Sequence, residues 1–146
     1  MTQLSPHFSL EEMTHSDVAT RNGWDNTPDE ATTVNLTRLA EFLERVKVLL
    51  DNKPIMINSA YRSKQVNDAV GSKDTSQHRL GCAADIRVPG MTPDQVTQAI
   101  KSSELPFDQV IREFDSWTHV SVPNREGEQP RGMALIIDKR GTRPYA

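Results

Sequence analysis

A catalytic zinc ion asks for three protein ligands drawn from histidine, aspartate, glutamate and cysteine, with one coordination position left open. The chain of 146 residues holds four histidines, His7, His15, His78 and His119, and a single cysteine, Cys82. His7 and His15 lie among ordinary surface residues of the N-terminal segment, whereas His78 and His119 adjoin short β-type runs. In Thr118-His-Val-Ser-Val122, strand parity puts Thr118, Val120 and Val122 on one face and His119 and Ser121 on the other. In Ala83-Ala-Asp-Ile-Arg-Val88, the apolar face is Ala84, Ile86 and Val88, and Asp85 points the opposite way with Ala83 and Arg87. His78 stands just before that run, where Gly81 and two alanines let backbones approach closely. If the two strands are neighbours, His78, Asp85 and His119 can meet. Parity alone leaves Asp85 equally able to be a solvated strand residue.

The elements that would position these residues are marked by local signals. Ser9-Leu-Glu-Glu12 reads as a capping box opening a short helix that ends near Thr14. Thr27-Pro28-Asp29-Glu30 predicts the start of the main helix, with Thr27 as cap and Pro28 in the first turn. Leu36, Leu39, Leu43, Val46 and Leu50 recur at spacings of three and four, so one stripe of that helix is buried, and Asn52-Lys53-Pro54 ends it. A third helix is expected between Ser63 and Gly71, and a fourth after Thr92-Pro93-Asp94-Gln95. Strands are expected at 55–58, 83–88, 109–113, 118–122 and 133–137. The last of these follow one another through turn residues without helices, which favours antiparallel pairing, a hairpin between Glu113 and Thr118, and an α+β fold.

Composition narrows the class. The length suits one domain over 1–146, with hydrophobic residues at 36%, charged residues at 25% and a net charge of −3. Mean hydropathy is −0.59, that of an ordinary polar soluble protein. No dense Lys/Arg stripe suggests a nucleic-acid partner, no run approaches a membrane span, and one cysteine excludes a disulfide framework or a multi-thiolate zinc site. Met1 to Leu10 has neither the basic start nor the apolar stretch of a secretory signal, so cytoplasmic synthesis is expected.

Three motifs then stand in order along the chain. Ser76-Gln-His-Arg-Leu-Gly-Cys-Ala-Ala-Asp85 resembles the S-x-H-x-x-G-x-A-x-D signature of the D-Ala-D-Ala carboxypeptidase-type zinc peptidases. That family includes vancomycin-resistance dipeptidases and phage endolysins and shares its fold with the Hedgehog signalling domain. Trp117-Thr-His-Val120 resembles its W-x-H-V motif, and Ser59-Ala-Tyr-Arg-Ser63 its S-x-Y-R-S element, so the motif core covers about residues 55–122. Phe8-Ser-Leu-Glu-Glu12 and Asn26-Thr-Pro28 further resemble a small branch often encoded by phages or prophages.

The resemblance implies a small antiparallel sheet with helices packed on one side, and Zn²⁺ held by His78, Asp85 and His119. It implies hydrolysis of a peptide bond in the stem or cross-link of peptidoglycan, a zinc-activated water attacking the carbonyl. Some relatives place an acidic base three residues before the last histidine, but here that position is Ser116. Relatives of the small branch carry a glutamate where Glu113 stands, which makes Glu113 the candidate base and Asp115 its rival; a strand-end ion-pair role for Glu113 is the alternative. Arg62 corresponds to an arginine that stabilises the developing oxyanion. Tyr61, Ser76 and Gln77 are candidate substrate-binding residues, although Tyr61 could simply pack and Ser76 and Gln77 could hold the ligand loop. Trp117 could wall a subsite or pack on the core, and Cys82 reads as a small buried residue. Carboxypeptidase and endopeptidase specificity both stay open, as does a non-catalytic, zinc-stabilised phage structural or wall-binding module. The expected partner is a peptidoglycan peptide, with no nucleic acid or membrane. The chain is read as a monomer that reaches the wall by phage- or lysis-dependent delivery.

Overall fold

Side-chain caps decide where the helices begin. The computed structural model describes residues 2–145. After the paired strands β1 (Gln3–Ser5) and β2 (Phe8–Ser9), Ser9 Oγ accepts from the Glu12 amide while the Glu12 carboxylate accepts from the Ser9 amide. This capping box opens α1 (Leu10–Thr14), and Ser16 opens α2 (Asp17–Asn22) as a single cap, its Oγ accepting from the Ala19 amide. The main helix, α3 (Glu30–Leu49), is capped not by Thr27 but by Asp29, whose Oδ1 accepts from the Thr32 amide at 2.8 Å. Thr27 is engaged one turn earlier, donating its amide to Asp25 Oδ1, and a carboxylate at the cap also opposes the positive end of the helix dipole.

The chain continues through β3 (Met56–Ser59), α4 (Lys64–Ala69), α5 (Gln77–Leu80), β4 (Ala83–Arg87) and α6 (Pro93–Lys101). It ends with β5 (Gln109–Glu113), β6 (Trp117–Ser121), β7 (Met133–Asp138) and β8 (Gly141–Pro144). Ser63 caps α4, and a second capping box, Thr92 with Gln95, opens α6.

The six-stranded sheet runs β3-β4-β6-β5-β7-β8. All neighbours are antiparallel except β5 and β7, which run parallel, so the sheet is mixed rather than wholly antiparallel. The long connection at residues 122–132 explains the exception, because it lets the chain travel back along the sheet before re-entering. Re-entry is fixed where Gly132 N donates to Phe107 O and Met133 N to Asp108 O. The α3 stripe Leu36, Leu39, Leu43, Val46 and Leu50 is buried as its spacing demands. It joins Val96 and Ile100 of α6 and Ala84, Ile86, Val110 and Val120 of the sheet in one cluster. The two longer helices thus cover one face of the sheet, and the other face is left to the side chains of alternate parity. Among the described residues, no helix is long and apolar enough to cross a membrane.

Candidate metal centre

Strand pairing brings two of the three candidate ligands side by side. Asp85 on β4 lies directly opposite His119 on β6, and His119 Nδ1 is 3.0 Å from Asp85 Oδ1. His78 reaches the same carboxylate oxygen from α5, Nε2 at 3.3 Å. Its other ring nitrogen, Nδ1, is 2.7 Å from the Ala60 carbonyl, which assigns the proton there and leaves Nε2 free for a ligand. The short helix is held at both ends. Ser76 Oγ accepts from His78 N, and Gly81 closes the turn at φ +74°. A Cβ on Gly81 would lie 3.0 Å from Leu36 Cγ, Thr32 Cγ2 and Thr32 O, so only glycine satisfies both the left-handed backbone and the approach of α3.

The three side chains are buried, and their ligand atoms all lie within 4.8 Å of one another. A tetrahedral site with bonds of about 2.0–2.1 Å separates its ligand atoms by about 3.3 Å. The spacings at Asp85 are already of that size, and two imidazoles with one carboxylate are a zinc donor set. Burial alone would push the Asp85 carboxyl up, but the adjoining His78 and His119 rings outweigh it and hold the group well below its ordinary value.

Around this cluster stand two charged side chains. Glu113 Oε1 is 3.9 Å from His119 Nδ1, on the same face as Ile111, which faces His119 across the β5–β6 pair. Burial, and after it the Asp85 charge, raises the Glu113 carboxyl above its ordinary value. Arg62 is pinned by three acceptors: Nε to Ser59 Oγ at 3.3 Å, Nη1 to Asn67 Oδ1 at 3.4 Å and Nη2 to Asp85 Oδ2 at 3.5 Å. Its backbone amide donates to the His78 carbonyl, tying the arginine segment to the ligand helix. Two carboxylates and one guanidinium leave this hollow net negative, which suits a dication.

All five residues line one open cavity of about 840 Å³. The other candidates sort by which way they face. Asp115 is exposed and pairs with Arg112 Nε at 3.1 Å on the far side of the hairpin, outside the cavity wall. Ser116 is exposed in the turn and also lies outside that wall. Trp117 shares the His119 face and lines the cavity beside Glu113. Ser76 lines it while capping α5. Gln77 is buried, its amide donating to Asp108 Oδ2, Val122 O and Asn124 Oδ1, which fastens α5 to the loop after β6. Tyr61 packs against the core outside the cavity wall. His7 pairs with Glu44 and His15 with Asp17, both exposed, and Cys82 is buried.

Sequence reasoning missed the supports. Asn67 is fully buried; besides Arg62 it holds the carbonyls of Ser72 and Lys73. Asp108, also buried, takes Gln77 on one side and a two-pronged clamp from Arg131 on the other. Neither belongs to a motif, and a single Asn or Asp without periodicity gives no signal of burial.

A buried His-Asp-His cluster with a carboxylate and a guanidinium beside it, in an open cleft on one face of a sheet, defines a metallopeptidase type of site. The family model described as Peptidase M15 matches residues 6–121, and the chain belongs to that family of zinc peptidases of the D-Ala-D-Ala carboxypeptidase type. No curated protein matches the chain.

Proposed function

We propose that the protein is a zinc-dependent hydrolase of peptide bonds in peptidoglycan stems or cross-links. The observation that carries this reading is the meeting of Glu113 and Arg62 with the His78–Asp85–His119 cluster in one cavity, and family membership supports the substrate class. His78 Nε2, His119 Nδ1 and an Asp85 oxygen would hold the metal. Bound zinc polarises the scissile carbonyl and a water molecule. Glu113 Oε1 takes the proton of that water and returns it to the leaving nitrogen. Burial and the Asp85 charge raise its affinity for protons before any metal is bound, which suits a group that has to accept one. The Arg62 guanidinium faces the same hollow and offers its charge to the oxygen that becomes negative.

The test is metal content with a digest of purified peptidoglycan, resolved by mass. The protein should carry about one zinc per chain, the expectation for three protein ligands and one open position. It should release defined peptides, and His78→Ala should lose both metal and release. A zinc-loaded wild type that releases nothing would instead favour a non-catalytic wall-binding module. Free D-Ala among the products would mark a carboxypeptidase, and larger fragments an endopeptidase.

A further inference from the structure

The cavity does not end at the catalytic side chains. Beyond β5 its floor passes onto β7 and β8, strands that lie outside the family-matched residues. Parallel pairing sets Leu135 beside Ile111 and Ile137 beside Glu113, and Thr142 of β8 stands opposite Ile137. Leu135, Ile137 and Thr142 line the same cavity as His119 and Glu113. Leu135 and Ile137 are only half-buried, on the open face of the sheet; α6 packs against β5 and β6 from the other side. Two aliphatic side chains held half-buried beside a charged reaction centre, with no element among the described residues placed over them, are unfavourable unless something apolar covers them in use. Glu113 bounds the pair on the reaction-centre side, and Arg131, which lines the same cavity, is already committed to Asp108.

We infer that Leu135 and Ile137 form a specificity shelf, which receives an aliphatic side chain of the peptide whose bond the site cuts. This rests on the site being that of a peptidase. Neighbouring strands are spaced by about 4.8 Å, so Leu135, two strands from His119, is about 10 Å away, a distance an extended peptide covers in about three residues. The shelf therefore reads a residue within about three of the scissile bond, on one side of it. On the other side a second cavity of about 400 Å³ shares Arg62, Asp85 and Trp117 with the first. It leaves the remainder of the chain a separate path. Each buried methylene strengthens binding by roughly fourfold, so a leucine should be separated from glycine by fivefold or more even on a half-open shelf.

The experiment uses the peptide released in the peptidoglycan digest, resynthesised with Gly, Ala, Leu or Asp at each of three positions on either side of the cut. The zinc-loaded protein should show, at one position on one side, a rise in kcat/KM of at least fivefold from Gly to Leu and a fall with Asp. In the Leu135→Ser/Ile137→Ser double variant, with zinc content unchanged, the Leu/Gly ratio at that position should drop below twofold. The Leu135→Ile/Ile137→Leu variant should restore it. Equal losses for Gly and Leu peptides would overturn the shelf, because a merely structural strand would lower both. So would a wild type with no aliphatic preference, a result that stands even if the double variant fails to fold. No cleavage of any peptidoglycan by zinc-loaded wild type would remove the peptidase reading itself, and the shelf with it.

Discussion

The two halves of the sheet are built to opposite standards. In β4 and β6, the strands that carry Asp85 and His119, almost every residue is buried, and cross-strand pairing, α5 and the α3 stripe hold the ligand atoms from several directions. In β7 every residue is half-buried, and the strand hangs on β5 by parallel pairing and on Asp108 by the Arg131 clamp. A metal site tolerates little displacement, and the candidate ligands sit where the chain is least free to move. A surface that meets substrate side chains can stay open. The division also follows the family match, which covers the ligand half and stops before β7.

The ligand half is the easier to break. Glu113→Gln removes the proposed base and leaves the proposed ligands, so kcat/KM should fall by about 10²–10⁴ while zinc content stays the same. Retained activity would transfer the role to another group. Gly81→Ala acts without touching the cleft. The left-handed backbone and the contacts with Leu36 and Thr32 should cost about 1–3 kcal/mol, seen as a lower melting temperature, with weaker zinc binding because α5 must shift. If the variant melts lower but binds zinc as tightly as wild type, α5 is not the rigid support that the comparison makes it.

Asp108→Asn probes the junction of the halves and should cost about 1–3 kcal/mol at neutral pH, since Arg131 and Gln77 lose a charged acceptor. Burial raises the Asp108 carboxyl, yet the Arg131 contacts outweigh it and hold the group below its ordinary value. A depressed carboxyl adds stability above its unfolded value, and that stability disappears as pH falls through the folded one. The difference between variant and wild type should therefore shrink below about pH 4. Thermal melts across pH measure it. A tenfold loss of zinc affinity in the same variant would show that the halves are coupled through Gln77.

Legibility in the sequence follows the same line. Ser9, Ser63 and Thr92 announced helix starts because a cap is local chemistry, and parity turned Asp85 and His119 each away from the apolar face of its own strand because alternation is local too. Thr27 misled because two capping residues stand within three positions of each other, and only the turn around Asp25 decides between them. The four residues of α5 are too few to show a helical period. The parallel return of β7 depends on the path of residues 122–132, which no short pattern encodes. The β5–β6 turn hides its nature as well: Phe114 and Asp115 both adopt left-handed backbone, at φ 53° and 51°, without the glycine or asparagine that usually signals it. The face on which Glu113 lies, undecided by parity among mixed neighbours, follows from its register against Trp117.

The parallel pairing of β5 with β7 has a further consequence for solubility. Five consecutive positions of β5, Gln109 to Glu113, find backbone partners along β7. Without the C-terminal hairpin, that strand would become a bare edge next to the His119 strand, offering its amides and carbonyls to any extended chain, a second copy included. Besides forming part of the floor of the cleft, the hairpin covers the edge that β5 would otherwise expose.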